Sequence, residues 1–339
     1  METSLVNDIK RGLSEKRAIL DEWCESCSQT EKEACLGLDG ETKLHDHLHV
    51  IDSSLQKLEE GTLGICKVCH GTVESELLRM DYTAYVCLDH YSEQERRQLE
   101  NELELSQVLQ RALLPQRTPS ITGLDISAFN RPAQIVGGDY FDFLQFKDGT
   151  HGFVIADVSG HGVSAGMLMT SLQTAFHTLV PENNSPVDIL ERINRLYIHN
   201  INFTTFVTIF FSRLNLQTRT LTYANAGHND AFLYRRGRKN EAWLGPTGAA
   251  IGLMEEFKVK PKDVQLETGD ILLLYTDGVT EAENLQKEQF GRDRLANVIR
   301  QNADLTANGI IQKILGTVNE FAAGTALADD VTLVVYKAN

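Results

Sequence analysis

Four acidic clusters sit at the ends of apolar, strand-like runs in the later part of the chain: Gly137-Gly-Asp139-Tyr-Phe-Asp142, Asp157-Val-Ser-Gly-His-Gly162, Tyr275-Thr-Asp277-Gly278 and Asp329-Asp330-Val-Thr332. A strand that hands a carboxylate straight to a turn does not place it on an ordinary solvated face. Oxygen ligands of this kind select hard divalent ions such as magnesium or manganese. Taken singly, Asp277-Gly278 also reads as a common turn dipeptide. Four such placements in one order are specific. The strand-like runs lie at residues 124–130, 140–146, 152–158, 206–214, 219–226, 231–235, 271–276 and 331–337, and helical patterns at 164–179, 186–199, about 292–301 and 308–322. Strands outnumber helices and are joined by short turns such as Gln217-Thr-Arg219. Antiparallel pairing is therefore expected, and the fold class is α+β, a sandwich rather than a doubly wound parallel sheet.

The earlier part of the chain is different in kind. All six cysteines, Cys24, Cys27, Cys35, Cys66, Cys69 and Cys87, fall within the first 90 residues, which marks a boundary. Cys66 and Cys69 are separated by two residues, as are Cys87 and His90. Two such pairs are what a tetrahedral zinc ion needs, and zinc would stabilise a segment too short to bury a core of its own. The alternative is reduced cysteines beside a surface histidine. Cys24, Cys27 and Cys35 read as small residues in a helical pair, or as partners of His45, His47 or His49 in a second metal or redox site. Residues 1–60 carry helical periodicity, clearest at Leu44, Leu48, Ile51, Leu55 and Leu58, with Gly37 and Gly40 as a break. Residues 92–114 are charged and helix-forming, with an apolar stripe from Leu99 to Leu113 that ends before Pro115. Such a stripe either pairs with its own copy in a homodimer, the reading we favour, or packs on the following domain.

At 339 residues, 42% hydrophobic and 23% charged, the chain is expected to be globular, with two or three folded units. Its apolar runs are far shorter than a bilayer requires, and its start lacks the layout of a secretion signal, so no membrane contact and a cytoplasmic location are expected. A net charge of −15 argues against nucleic acid as a partner. An acidic protein that works on phosphate must bring cations to the site.

The order GGDYFDF, DVSGHGVSA, LLLYTDGVTEAEN and DDVTLVVYK over residues 105–337 resembles the metal-dependent, type 2C-like serine/threonine phosphatases of the sporulation and sigma-factor-regulator branch. The resemblance implies two antiparallel sheets flanked by helices, with two Mn²⁺ or Mg²⁺ ions at one edge. It implies Asp157 as the bridging ligand with the Val158 carbonyl beside it, Asp277 and Asp329 completing one ion's shell, and Asp139 holding a metal-bound water on the other side. Gly160 and Gly162 are expected to let the backbone approach and to start a helix. His161 is displaced by two residues from the acid's position in the family pattern, which falls on Ser159, so His161 is either a general acid or turn packing. His228 either borders the substrate or makes a structural hydrogen bond. No arginine stands out for the phosphate; Arg131, Arg213 and Arg235 are the candidates. The implied substrate is a phosphorylated protein, by resemblance a STAS-type anti-anti-sigma factor.

The run from Glu59 to Cys69, with Arg79 and Cys87, resembles the zinc finger of the DksA/TraR regulators over about residues 45–95. The resemblance implies one cysteine-ligated zinc at the end of a helical hairpin. The expected organisation is then N-terminal helices at 1–60, a zinc finger at 61–95 held by Cys66, Cys69, Cys87 and His90, a helical linker at 96–116 and a phosphatase domain at 117–339. The rival reading is a zinc-dependent transcription regulator that binds RNA polymerase, with the C-terminal domain as a docking platform.

Overall fold

The computed structural model describes residues 6, 9–11, 13–14, 17–18, 40–73, 78, 86–87, 93–160, 162–183, 185–200, 206–236, 241–254, 257–325 and 329–339. The chain divides into two compact units, Met1–Asn101 and Glu102–Asn339.

In the first unit, helix α1 spans Gly40–Glu59, so Gly40 opens the helix. Arg17 Nε donates to Asp52 Oδ1 of this helix at 2.7 Å. A second cluster gathers Cys66, Val73, Leu78 and Cys87, with Ile9 and Val86 packed against it. Cys24, Cys27, Cys35, His90 and the side chain of His47 lie outside the described residues, while His45 and His49 are exposed on α1. Helix α2, Glu93–Leu113, crosses the boundary between the units.

Among the described residues the second unit holds ten strands: β1 (Leu124–Arg131), β2 (Tyr140–Gln145), β3 (His151–Val158), β4 (Val207–Asn215), β5 (Thr220–Ala226), β6 (Ala231–Tyr234), β7 (Glu241–Leu244), β8 (Lys262–Gln265), β9 (Ile271–Tyr275) and β10 (Val331–Ala338). They form two antiparallel five-stranded sheets, ordered β1-β10-β9-β6-β7 and β2-β3-β4-β5-β8. Helices α3 (Val163–Leu179) and α4 (Pro186–Asn200) cover the second sheet. A short helix α5 (Asp277–Thr280) follows β9, and α6 (Gly291–Asn302) and α7 (Ala307–Ala322) cover the first sheet. This is the expected α+β sandwich. The two strands that periodicity did not reveal, β7 and β8, are four-residue edge strands, too short and too exposed to carry a clear alternation.

Alternation along the strands sorts the side chains into three layers. On β3, Val154, Ala156 and Val158 face the α3/α4 layer, whereas Phe153 and Ile155 enter the core between the sheets. On β9, Ile271, Leu273 and Tyr275 face α6 and α7, and Leu272 and Leu274 face inward; on β10, Val334 and Tyr336 do the same. Phe141 and Phe210 extend the inner layer on β2 and β4. Among the described residues, no helix is long and apolar enough to cross a membrane.

Candidate active site

The parity of the inner layer continues to one end of the sandwich, and there it changes from apolar to polar. After Phe153 and Ile155 the next inward position on β3 is Asp157; before Phe141 on β2 it is Asp139; before Phe210 on β4 it is Thr208. On the opposite sheet the corresponding positions are Thr276, past Leu272 and Leu274, and Thr332, before Val334. Asp157 pairs in register with Thr208, and Tyr275 with Leu333, so these groups gather at a single edge.

Asp139 is only 4% exposed, and its Oδ2 accepts hydrogen bonds from Thr276 Oγ1 at 2.8 Å and Thr332 Oγ1 at 2.5 Å. A carboxylate at the head of β2 is thus fastened to two strands of the other sheet. Burial, and then the charge of Asp157, drive its pKa well above the ordinary value, although the Thr332 hydroxyl pulls the other way. Burial, with Asp277, Asp329 and Asp330 nearby, pushes Asp157 up to about 7. Burial together with Asp329 and Glu281 lifts Asp277 to about 6. Five carboxylates therefore feel one another's charge across the seam between the sheets. Among the described residues, no three of them bring oxygens within 4.8 Å of one another.

Asp329 is exposed, whereas Asp330 is turned inward. Asp330 accepts the Ala133 N–H at 2.7 Å through Oδ1, and the Gly138 and Asp139 N–H groups at 2.7 and 3.4 Å through Oδ2. It anchors the segment before β2. Burial raises its pKa, and these three N–H donors oppose that rise. The sequence placed Asp330 in an acidic cluster without a role; its partners lie almost 200 positions away in the chain.

The donor set suits a hard divalent cation: Asp157 from one sheet, Asp277 and Asp329 from the other, with no sulfur among them. Gly160 (φ 92°) and Gly162 (φ 77°) occupy the left-handed region. Gly160 has open space where a Cβ would go, so its requirement is backbone conformation rather than close approach. Gly162 precedes α3 without a side-chain cap, leaving N–H donors at that helix end. His161 lies outside the described residues.

His228 is buried at 3% exposure. Its Nδ1 is 2.8 Å from Thr208 Oγ1, which itself lies 3.5 Å from the Asp157 carbonyl. Among the described residues its Nε2 has no hydrogen-bond partner. Burial holds this imidazole down at about 4, and the Tyr275 backbone offsets that only in part. Of the arginine candidates, Arg213 is paired with Asp148 and Arg235 with Asp270. Arg131, exposed at the end of β1 opposite Val331, is the one next to the acidic seam.

A second set of metal-type ligands lies in the first unit. Cys66, Cys69 and Cys87 bring their sulfurs within 4.8 Å of one another. Cys66 Sγ accepts the N–H groups of Val68 and Cys87, each at 3.4 Å, and Cys69 Sγ that of Gly71 at 3.4 Å. The tight turn is closed by Cys66 N–H to the Gly71 carbonyl at 2.7 Å and His70 N–H to the Cys66 carbonyl at 2.9 Å. Burial pushes the Cys66 thiol up, but the N–H donors outweigh it and hold the thiol at about 6. Burial and the neighbouring sulfurs raise Cys87 to about 12.

The model of the family described as Stage II sporulation protein E (SpoIIE) matches residues 147–339. Phosphoserine phosphatase RsbU of Bacillus subtilis (strain 168) is 29% identical over 242 residues, covering 71% of each chain. The solved SiaA-PP2C domain of Pseudomonas aeruginosa superposes with a TM-score of 0.64 at 21% identity, over 72% of this chain and 99% of that one. RsbX, solved in complex with magnesium, superposes with a TM-score of 0.51 at 15% identity, over 66% and 99%. A family match over more than half the chain, on a sandwich whose inner strand positions end in a shared acidic seam, establishes that this chain belongs to the SpoIIE family.

Proposed function

We propose that this protein phosphatase hydrolyses phosphoserine or phosphothreonine on a partner protein, using two Mn²⁺ or Mg²⁺ ions held by Asp157, Asp277 and Asp329, with Asp139 and the Val158 carbonyl alongside. The observation that carries the reading is the convergence of Asp139 and Asp157 from one sheet with Asp277, Asp329 and Asp330 from the other, near enough that the charges of the last four raise the pKa of neighbouring carboxyls. Carboxylates so placed repel one another, and cations relieve that repulsion. Such ions, when bound, acidify water and neutralise phosphoryl oxygens. The chain's own residues fix the geometry: Thr276 and Thr332 orient Asp139, Asp330 anchors the segment before β2, and Arg131 offers a cation to the incoming phosphate. No cysteine follows Cys87, which agrees with direct attack by water rather than by a thiol.

The first unit, in this proposal, holds one zinc ion through Cys66, Cys69, Cys87 and His90, in the manner of a DksA/TraR finger, and controls the phosphatase through α2. Three converging sulfurs, two of which accept backbone N–H groups, support it. Leu105, Val108 and Leu109 of α2 are each more than half exposed, in keeping with a homodimer through that helix. The proposed substrate is a STAS-type anti-anti-sigma protein in the cytoplasm, by the family resemblance.

The purified chain is expected to hydrolyse para-nitrophenyl phosphate with Mn²⁺, and Asp157→Asn to abolish this. Activity that survives the substitution would refute the assignment.

A further inference from the structure

Gln110 is a polar side chain in an unexpected place, 9% exposed near the end of α2. Both ends of its amide are bonded to one residue: Nε2 donates to the Gly137 carbonyl at 2.7 Å, and Oε1 accepts the Gly137 N–H at 3.0 Å. A side-chain amide that grips both polar groups of one residue holds that residue as a neighbouring strand would, fixing its position and orientation.

Gly137 is gripped from two sides. A Cβ added to it would lie 2.4 Å from Asp330 Oδ2, and one added to Gly138 would lie 2.9 Å from the Val158 carbonyl oxygen. The pair Gly137-Gly138 is thus threaded between Gln110 and two elements of the acidic seam, and the next residue is Asp139. Helix α3, which follows the Gly160–Gly162 turn, closes on the same point: a Cβ on Gly166 would meet Gln110 Nε2 at 3.0 Å and Val136 Cγ1 at 3.1 Å. Gln110 therefore touches both segments that frame Asp139 and Asp157 without touching either carboxylate.

We infer that Gln110 is a positioning residue for the metal site: it transmits the placement of α2 to Asp139 and the Val158 carbonyl through Gly137. The inference rests on the two-metal reading above and adds a residue outside the sandwich to it. Supporting groups of this kind typically change metal affinity by about 10–100-fold when removed.

In the full chain, Gln110→Leu is expected to raise the Mn²⁺ concentration for half-maximal para-nitrophenyl phosphate hydrolysis by about tenfold or more. The kcat at saturating Mn²⁺ should stay close to wild type, and amide exchange across residues 136–140 should speed up. Gln110→Glu keeps the acceptor for the Gly137 N–H but sets a carboxylate oxygen against the Gly137 carbonyl, so a shift at least as large is expected; it also serves if the leucine variant does not fold. A residue that served packing alone would reduce the folded fraction and hence the amplitude, leaving the half-saturating concentration where it was, and that result overturns the inference. So does unchanged exchange at residues 136–140. Should the wild-type chain show no Mn²⁺-dependent hydrolysis, the phosphatase reading fails, while the exchange comparison still decides whether Gln110 fixes the Gly137 segment.

Discussion

Asp139 owes its place to two threonines contributed by the opposite sheet, and His228 plays a comparable part from further back. Its Nδ1 meets Thr208, the register partner of Asp157, so the imidazole buttresses the strand that carries the proposed bridging carboxylate. An imidazole held at about 4 when folded and near 6.5 when unfolded makes folding pH-dependent. Above pH 6.5 it is neutral in both states and has no effect. As pH falls from 6.5 towards 4, the unfolded chain takes up the proton first and stability is lost, by about 3 kcal/mol over the whole window. The buried carboxylates act with the opposite sign, since raised pKa values stabilise the folded state as pH falls. The His228 contribution is therefore read as a difference: urea midpoints of wild type and His228→Gln, both without added cations, should converge between pH 7 and pH 4. Parallel midpoints across that range would remove His228 from the account.

At the scale of the element, much of this architecture is legible in advance, because Phe153, Ile155 and Asp157, or Leu272, Leu274 and Thr276, state by simple alternation which side chains share a face. The carboxylates announce themselves by type. Thr208, Thr276 and Thr332 do not, since a threonine in a strand is also just a good strand former. Gln110 is hidden for another reason: it lies in a polar helical stretch, and only tertiary structure shows that its amide faces inward. His228 stayed ambiguous because a histidine after a strand carries no mark of burial. Helix α7 gives a case in which local chemistry suffices. Thr306 takes an extended conformation at the N-cap, and its Oγ1 accepts the Gly309 N–H at 3.1 Å. Thr306→Ala should cost about 1 kcal/mol in chemical denaturation, because the cap is lost while the buried face of Ile310, Ile311 and Ile314 is untouched. A loss of several kcal/mol would mean that the threonine does more than cap.

For the whole molecule, the two units stand on different physics. The sandwich of Glu102–Asn339 buries an inner core and two outer ones, whereas the cysteine cluster of the first unit gathers, among the described residues, four buried residues with two more against them. A zinc–thiolate site supplies folding free energy directly to the segment that carries it. Stability should accordingly be divisible. The full chain is expected to contain about one zinc per molecule and to unfold in two steps, since independent units break single-step behaviour. Cys69→Ser removes one of the three converging sulfurs. It should lose the zinc and abolish or lower the first transition, while leaving the second, which belongs to the sandwich, within a degree or so of wild type. Metal analysis and calorimetry on the same samples make the test sharp. A zinc-free wild type whose transitions do not respond to Cys69→Ser would show that the thiols are held together by packing alone, and the first unit would then need some other source of stability.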